Sequence, residues 1–89
     1  MRAIVTVVGK DKVGIIAGVC TALAEYNVNI LDIRQTVMQG YFTMMMVTDV
    51  SASNLPVAEL AKALEENGKE MNLSIRLQRE DIFDAMHRV

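Results

Sequence analysis

The sequence has no tryptophan, one cysteine, one histidine and one proline. Cys20 stands alone, so an intrachain disulfide is impossible, and no Cys-x-x-Cys pair exists for redox or metal chemistry. His87 has no second group set up to orient it. It is expected on the surface of a terminal helix, not as a catalytic base. Aromatics are limited to Tyr26, Tyr41, Phe42 and Phe83, too few for a base-stacking platform. Net charge is −2 from nine basic and eleven acidic residues, mixed along the chain without a basic block. Phosphate binding draws on clustered cations, so nucleic acid is not an expected partner. No apolar run approaches the ~18 residues of a membrane span, and no leader pattern precedes the first strand. The expectation is no membrane partner and a cytoplasmic protein.

What is abundant is apolar surface: 52% of the 89 residues are hydrophobic. A chain of this length makes one domain and buries only about 60% of the surface its unfolded form exposes. The excess points to a dense core together with apolar surface kept for a partner, of which a second copy is the commonest kind.

Ala3-Ile-Val-Thr-Val-Val is β-branched after Ala3 and has the length of a strand. Ala3, Val5 and Val7 share one face and Ile4, Thr6 and Val8 the other, so both faces are apolar and the strand should be central. A polar loop bounded by Gly9 and Gly14 leads into a helix over Ile15 to Asn27, with Ile16, Val19, Cys20 and Leu23 as its apolar stripe. Val28 to Met38 alternates as a strand. Asn29, Leu31, Ile33 and Gln35 lie on one face, unless a bulge shifts the register. Gln39-Gly40 marks a hairpin turn into a strand over Tyr41 to Val50, which sends Met44 and Met46 to one face and Met45 to the other. Pro56 opens a second helix with Val57, Leu60, Leu64 and Met71 in phase. Gly68 within it is expected to permit close approach to a neighbour. Leu73, Ile75 and Leu77 alternate in a last strand, and Asp81 to Val89 forms a short amphipathic helix on Ile82, Phe83 and Met86.

The predicted order is β-α-β-β-α-β plus a terminal helix. That is an α+β, ferredoxin-like sandwich. Right-handed crossovers put both long helices on one face of a four-stranded antiparallel sheet and leave the other face bare.

Acidic groups are scattered. Glu59, Glu65 and Glu66 form a solvated helix face, Asp49 precedes a loop, and Cys20 is expected to be a buried structural thiol. The feature that carries chemistry is the first loop. Free N–H groups at a helix start favour a carboxylate or phosphate. Gly14 lets a ligand approach the backbone, and Asp11 can accept from an ammonium group or cap the helix. A donor surface beside an acceptor suits a free amino acid.

The run Val8-Gly-Lys-Asp-Lys-Val-Gly-Ile-Ile, followed by Ala24-Glu-Tyr-Asn-Val-Asn-Ile, strongly resembles an ACT domain. The resemblance spans the chain, and the ending Asp81-Ile-Phe-Asp-Ala-Met is similar to small ACT proteins of the glycine-cleavage-regulator type. It implies an ACT domain over residues 1–79 and a C-terminal helical extension over 80–89. In members that bind amino acids, two domains pair and the ligand lies between them. Carried over by position, the resemblance implies ligand contacts at Gly9, Lys10, Asp11, Val13, Gly14 and Ile15 in the loop, and at Asn29 at the start of the second strand. Two positions depart from the pattern: Val13 stands where proline is common, and Gly9 where a serine-sensing member has a ligand-contacting histidine. The implied function is regulatory, through an amino acid or similar effector, a homo-oligomer such as a dimer, and a regulated protein partner. Neither a catalytic residue nor a metal or cofactor is assigned. The alternative is a ligand-independent dimerisation or protein-interaction module acting through the sheet or through Ile82, Phe83 and Met86.

Overall fold

The computed structural model describes residues 1–10 and 12–86, leaving aside the side chains of residues 83, 85 and 86. His87 and Asp11 lie outside this set. Seven elements follow in order: β1 (Arg2–Lys10), α1 (Ile15–Glu25), β2 (Asn29–Met38), β3 (Tyr41–Asp49), α2 (Val57–Glu70), β4 (Leu73–Arg79) and α3 (Glu80–Met86). The strands form one antiparallel sheet in the order β2-β3-β1-β4. This is the expected ferredoxin-like arrangement, with the doubly apolar β1 between two neighbours.

The core occupies one face. Val5 and Val7 of β1 lie opposite Met46 and Met44 of β3 and opposite Leu77 and Ile75 of β4, and Ala3 lies opposite Thr48. Val19 and Leu23 of α1 and Leu60 and Leu64 of α2 close over them, and all of these are buried. Thr48 is the buried polar member, and its hydroxyl donates to the Ala3 carbonyl at 2.9 Å. Met45, as alternation requires, faces the other way and is exposed.

Local chemistry sets the turns. Gln39 and Gly40 both have positive φ, 55° and 80°, the conformation that a two-residue hairpin between twisted strands demands. Asn27 stops α1 at φ 58°, and its side-chain amide donates to the Ala52 carbonyl at 2.9 Å. Asn54 secures the same helix end: its side chain donates to Glu25 O and its N–H to Tyr26 O.

Three expectations change. The α1 stripe is Ile15, Val19, Ala22 and Leu23; Ile16 is exposed and Cys20 only half-buried. The helix is apolar over more than one face, so packing selects the stripe. In β2 a bulge between Ile30 and Asp32 shifts the alternation. Ile30, Ile33, Gln35 and Val37 share the register of the core-facing β3 residues, while Asp32, Arg34, Thr36 and Met38 share that of the open face. The open face is not wholly bare. Ile4 lies on it outside the core cluster yet is 7% exposed; α3 packs against β1 and β4, and Arg2 pairs with Glu80 at 3.1 Å.

Gly68 meets its expectation. It is buried in α2, which runs through it to Glu70, and a Cβ there would sit 2.8 Å from Leu73 O and 2.9 Å from Ile75 Cγ1. Backbone that close cannot move aside cheaply. Gly68→Ala is therefore expected to destabilise the fold by about 1–3 kcal/mol, read as a lower urea midpoint at unchanged m-value.

Candidate functional site

The β1–α1 connection ends on Gly14, which caps α1 at φ 88°. Glycine adopts this left-handed conformation at little cost, and nothing lies within 4 Å of where its Cβ would be. Among the described residues no side chain caps the helix, and no acidic residue occupies its first turn. The Gly18 N–H is taken by Gly14 O. The preceding amides have no intrahelical acceptor and face outward with the positive end of the helix dipole. An open hollow of about 420 Å³ adjoins this helix start, lined by Lys12, Gly14, Ile15, Ile16, Ala17 and Phe42. Apart from the lysine its wall is apolar.

The loop residues have different fates. Ile15 is buried as part of the core, while Val13 is fully exposed. Lys10 is exposed at the end of β1, and Lys12 Nζ donates to Met71 O. A Cβ on Gly9 would run into the Leu73 side chain. A larger residue there would require the Leu73 side chain to shift.

Asn29 is elsewhere. It opens β2 opposite Asp49, which is itself opposite Arg2 at the start of β1, whereas the loop follows Lys10 at the other end. Arg2 and Lys10 are eight residues apart, which at strand rise is about 26 Å. One chain does not bring Asn29 to the loop. Asn29 instead lines a separate hollow of about 470 Å³ with Ala24, Asn27, Val28, Asp49, Ser51 and Ala52.

Asp49 and Ser51 are the members of that hollow that sequence reasoning missed. Hydrogen bonds from the Ser51 side chain, first, and from its N–H, at 2.9 Å, lower the Asp49 pKa to about 2 against a small opposing effect of desolvation. The Met1 amino group, 3.4 Å away, acts in the same direction. The spacing Asp-x-Ser, in which a carboxylate accepts from the amide two residues on, was the available signal. Among the described residues no group of three or more His, Cys, Asp or Glu is placed to hold a metal ion. Nor is any described helix long and apolar enough to cross a membrane.

A four-stranded antiparallel sheet under two helices, with a glycine-led helix start after its first strand, defines a ferredoxin-like βαββαβ sandwich. The chain matches the ACT domain family over residues 2–78 and belongs to it. It is 56% identical to a UPF0237 protein of Clostridium acetobutylicum, each covering all of the other. An ACT domain protein from Streptococcus pneumoniae is 47% identical and superimposes with a TM-score of 0.83, covering 98% of both chains. The ligand-free regulatory subunit of aspartate kinase from Thermus thermophilus is 26% identical over 89% of this chain and 51% of its own, with a TM-score of 0.69.

The Asp49 environment has a measurable consequence. Its folded pKa lies below the ordinary 3.8. Its contribution to stability is therefore present above the unfolded value and is lost as pH falls through about 4 toward 2. A carboxyl NMR titration should give a midpoint near 2 for Asp49, and Ser51→Ala should move it up toward 3.8. An unchanged midpoint in that variant would assign the shift to another group.

Proposed function

We propose that this chain is a regulatory domain that binds a free amino acid, or a molecule of similar shape, between two copies of itself. One observation carries the reading: the uncapped start of α1 and Asn29 stand at opposite ends of the sheet, so a site built from both needs a second chain. Outward amides at Ile15 to Ala17, with Lys10 and Lys12 nearby, favour the effector's carboxylate. Its ammonium group meets Asp11 of the same loop or, across the interface, Asn29 and Asp49. The apolar wall of Ile15, Ile16, Ala17 and Phe42 receives a side chain of modest size, so apolar amino acids are the first candidates. Gly9 offers no polar contact, which separates this site from serine recognition. Membership of the ACT family and likeness to an aspartate kinase regulatory subunit support a regulatory role. Residues 1–79 form the binding unit, and 80–89 a C-terminal extension. The protein acts in the cytoplasm on a regulated partner and catalyses no reaction itself.

Effector binding regulates only through a difference in affinity between two states of the pair. A thermal-shift and calorimetric survey of free amino acids at millimolar concentration tests the reading. One or more should raise Tm, and Asn29→Ala should weaken binding by about tenfold. Mixing Asn29→Ala chains with Gly14→Val chains should restore one intact site per mixed dimer. No stabilisation by any amino acid would leave only the ligand-independent interaction module.

A further inference from the structure

The sheet face turned away from α1 and α2 differs at its two ends. At the start of β1 it carries α3, which packs against β1 and β4, with Glu80 paired to Arg2 at 3.1 Å. Toward the Gln39-Gly40 hairpin its side chains are open. There Met45 of β3 lies opposite Thr6 of β1 and Arg34 of β2, and Thr6 lies opposite Arg76 of β4, so these four make one row across the sheet. Two rows nearer the hairpin, Tyr41 lies opposite Lys10 and Met38, and Val8 stands in the row between. Val8, Met45, Tyr41 and Met38 are 43%, 41%, 57% and 69% exposed.

Apolar groups occupy the middle of this open end and cations its margin. Lys10, Arg34 and Arg76 are exposed, and among the described residues none of them has an ion pair within the chain. No carboxylate stands in the three rows; Asp32 lies one row nearer α3, opposite Val47. An apolar centre inside a polar rim is the anatomy of a protein-docking surface, and methionine fits its shape to what it meets.

We propose that this open end docks an amphipathic helix of another protein, with acidic residues flanking its apolar stripe. The surface gives a place to the regulated partner of the reading above, on which its functional meaning rests. The dimensions suit one helix. From Thr6 to Lys10 the patch runs about 13 Å along the strands, and across the four strands it runs about 14 Å. Ten helical residues are about 15 Å long and, with side chains, about 10 Å wide. The charge calls for carboxylates, since three cations of one sign surround the apolar centre. α3 shows the same chemistry on the same face: its acidic residues are Glu80, Asp81 and Asp84, it has no basic one, and Glu80 meets Arg2. The chain thus supplies an acidic helix to one end of this face and leaves the other end open. A second copy is a poorer occupant, because patch laid on patch sets three cations against the same three. Single-stranded nucleic acid finds in the patch one aromatic ring, Tyr41, on which to stack.

Fluorescence anisotropy on the full chain tests this with a labelled amphipathic helix about 18 residues long, leucine along one face and glutamate along the other, and with its lysine counterpart. The glutamate form should bind at least about tenfold more tightly than the lysine form. Arg34→Glu, Arg76→Glu and Met45→Glu should each weaken it about fivefold or more, while Lys62→Glu on α2 should leave it unchanged. Circular dichroism verifies that the variants fold, and amide shifts on binding should centre on Val8, Tyr41 and Met45. No binding of the glutamate form at millimolar peptide overturns the proposal. So do equal affinities for the two forms, binding that survives both arginine reversals, or amide shifts confined to α1 and α2. An oligo(dT) strand that binds more tightly than the glutamate helix assigns the patch to nucleic acid, and a lower sedimentation coefficient for Met45→Glu assigns it to a second copy; either result overturns the docked helix. A chain that binds amino acids but not the helix loses this surface alone. Docking without amino-acid binding upholds the surface and removes the effector-binding function instead.

Discussion

The fold depends on β1 lying between β3 and β4. Ladder hydrogen bonds on both sides of that strand bind the first third of the chain to its middle and its end. Ala3, Val5 and Val7 then form the floor on which both helices rest. Small and β-branched residues there leave room for Met44, Met46, Leu60, Leu64 and Ile75, all of them buried. The close approach of Gly68 of α2 to the backbone of β4 follows from the same demand: with two helices on one face, each must approach the sheet closely.

This arrangement also divides the molecule's chemistry. A central strand of nine residues sets its two ends far apart. The glycine-led start of α1 lies at one end; Asn29, Asp49 and Ser51 lie at the other. The first end offers donors and positive potential. The second offers a carboxylate held ionised by Ser51. An amino acid carries both charges on one carbon, so neither end alone is complementary to it. The proposed interface site would join the two ends, and effector binding and association would then be a single linked equilibrium.

Exposure along β2 has a different character from that on the rest of the surface. On the open face Ile4 is buried, and α3 packs against β1 and β4. Elsewhere on it, exposed Val8, Tyr41 and Met45 alternate with Thr6 and Thr43. β2, in contrast, combines unpaired backbone with apolar side chains, and its two charges are of opposite sign.

Much of the fold was legible without coordinates, because alternation and helical spacing are local properties. The four-stranded antiparallel sheet with both long helices on one face followed from element order and crossover handedness. The hairpin turn at Gln39-Gly40, the stop at Asn27 and the close approach at Gly68 each rested on one residue's backbone chemistry. The candidate loop was legible for the same reason: a glycine at a helix start says something about the amides behind it. What the chain alone left open were matters of relative position. Which stripe of the apolar α1 turns inward, whether β2 carries a bulge, and how far Asn29 lies from Gly14 all depend on how separate elements pack. The sequence by itself determined the elements, their order and the chemistry at each end of the sheet. Only the tertiary structure decided that the ends are apart, since the distance across a sheet is set by strand pairing between residues remote in the chain, and no local pattern records it.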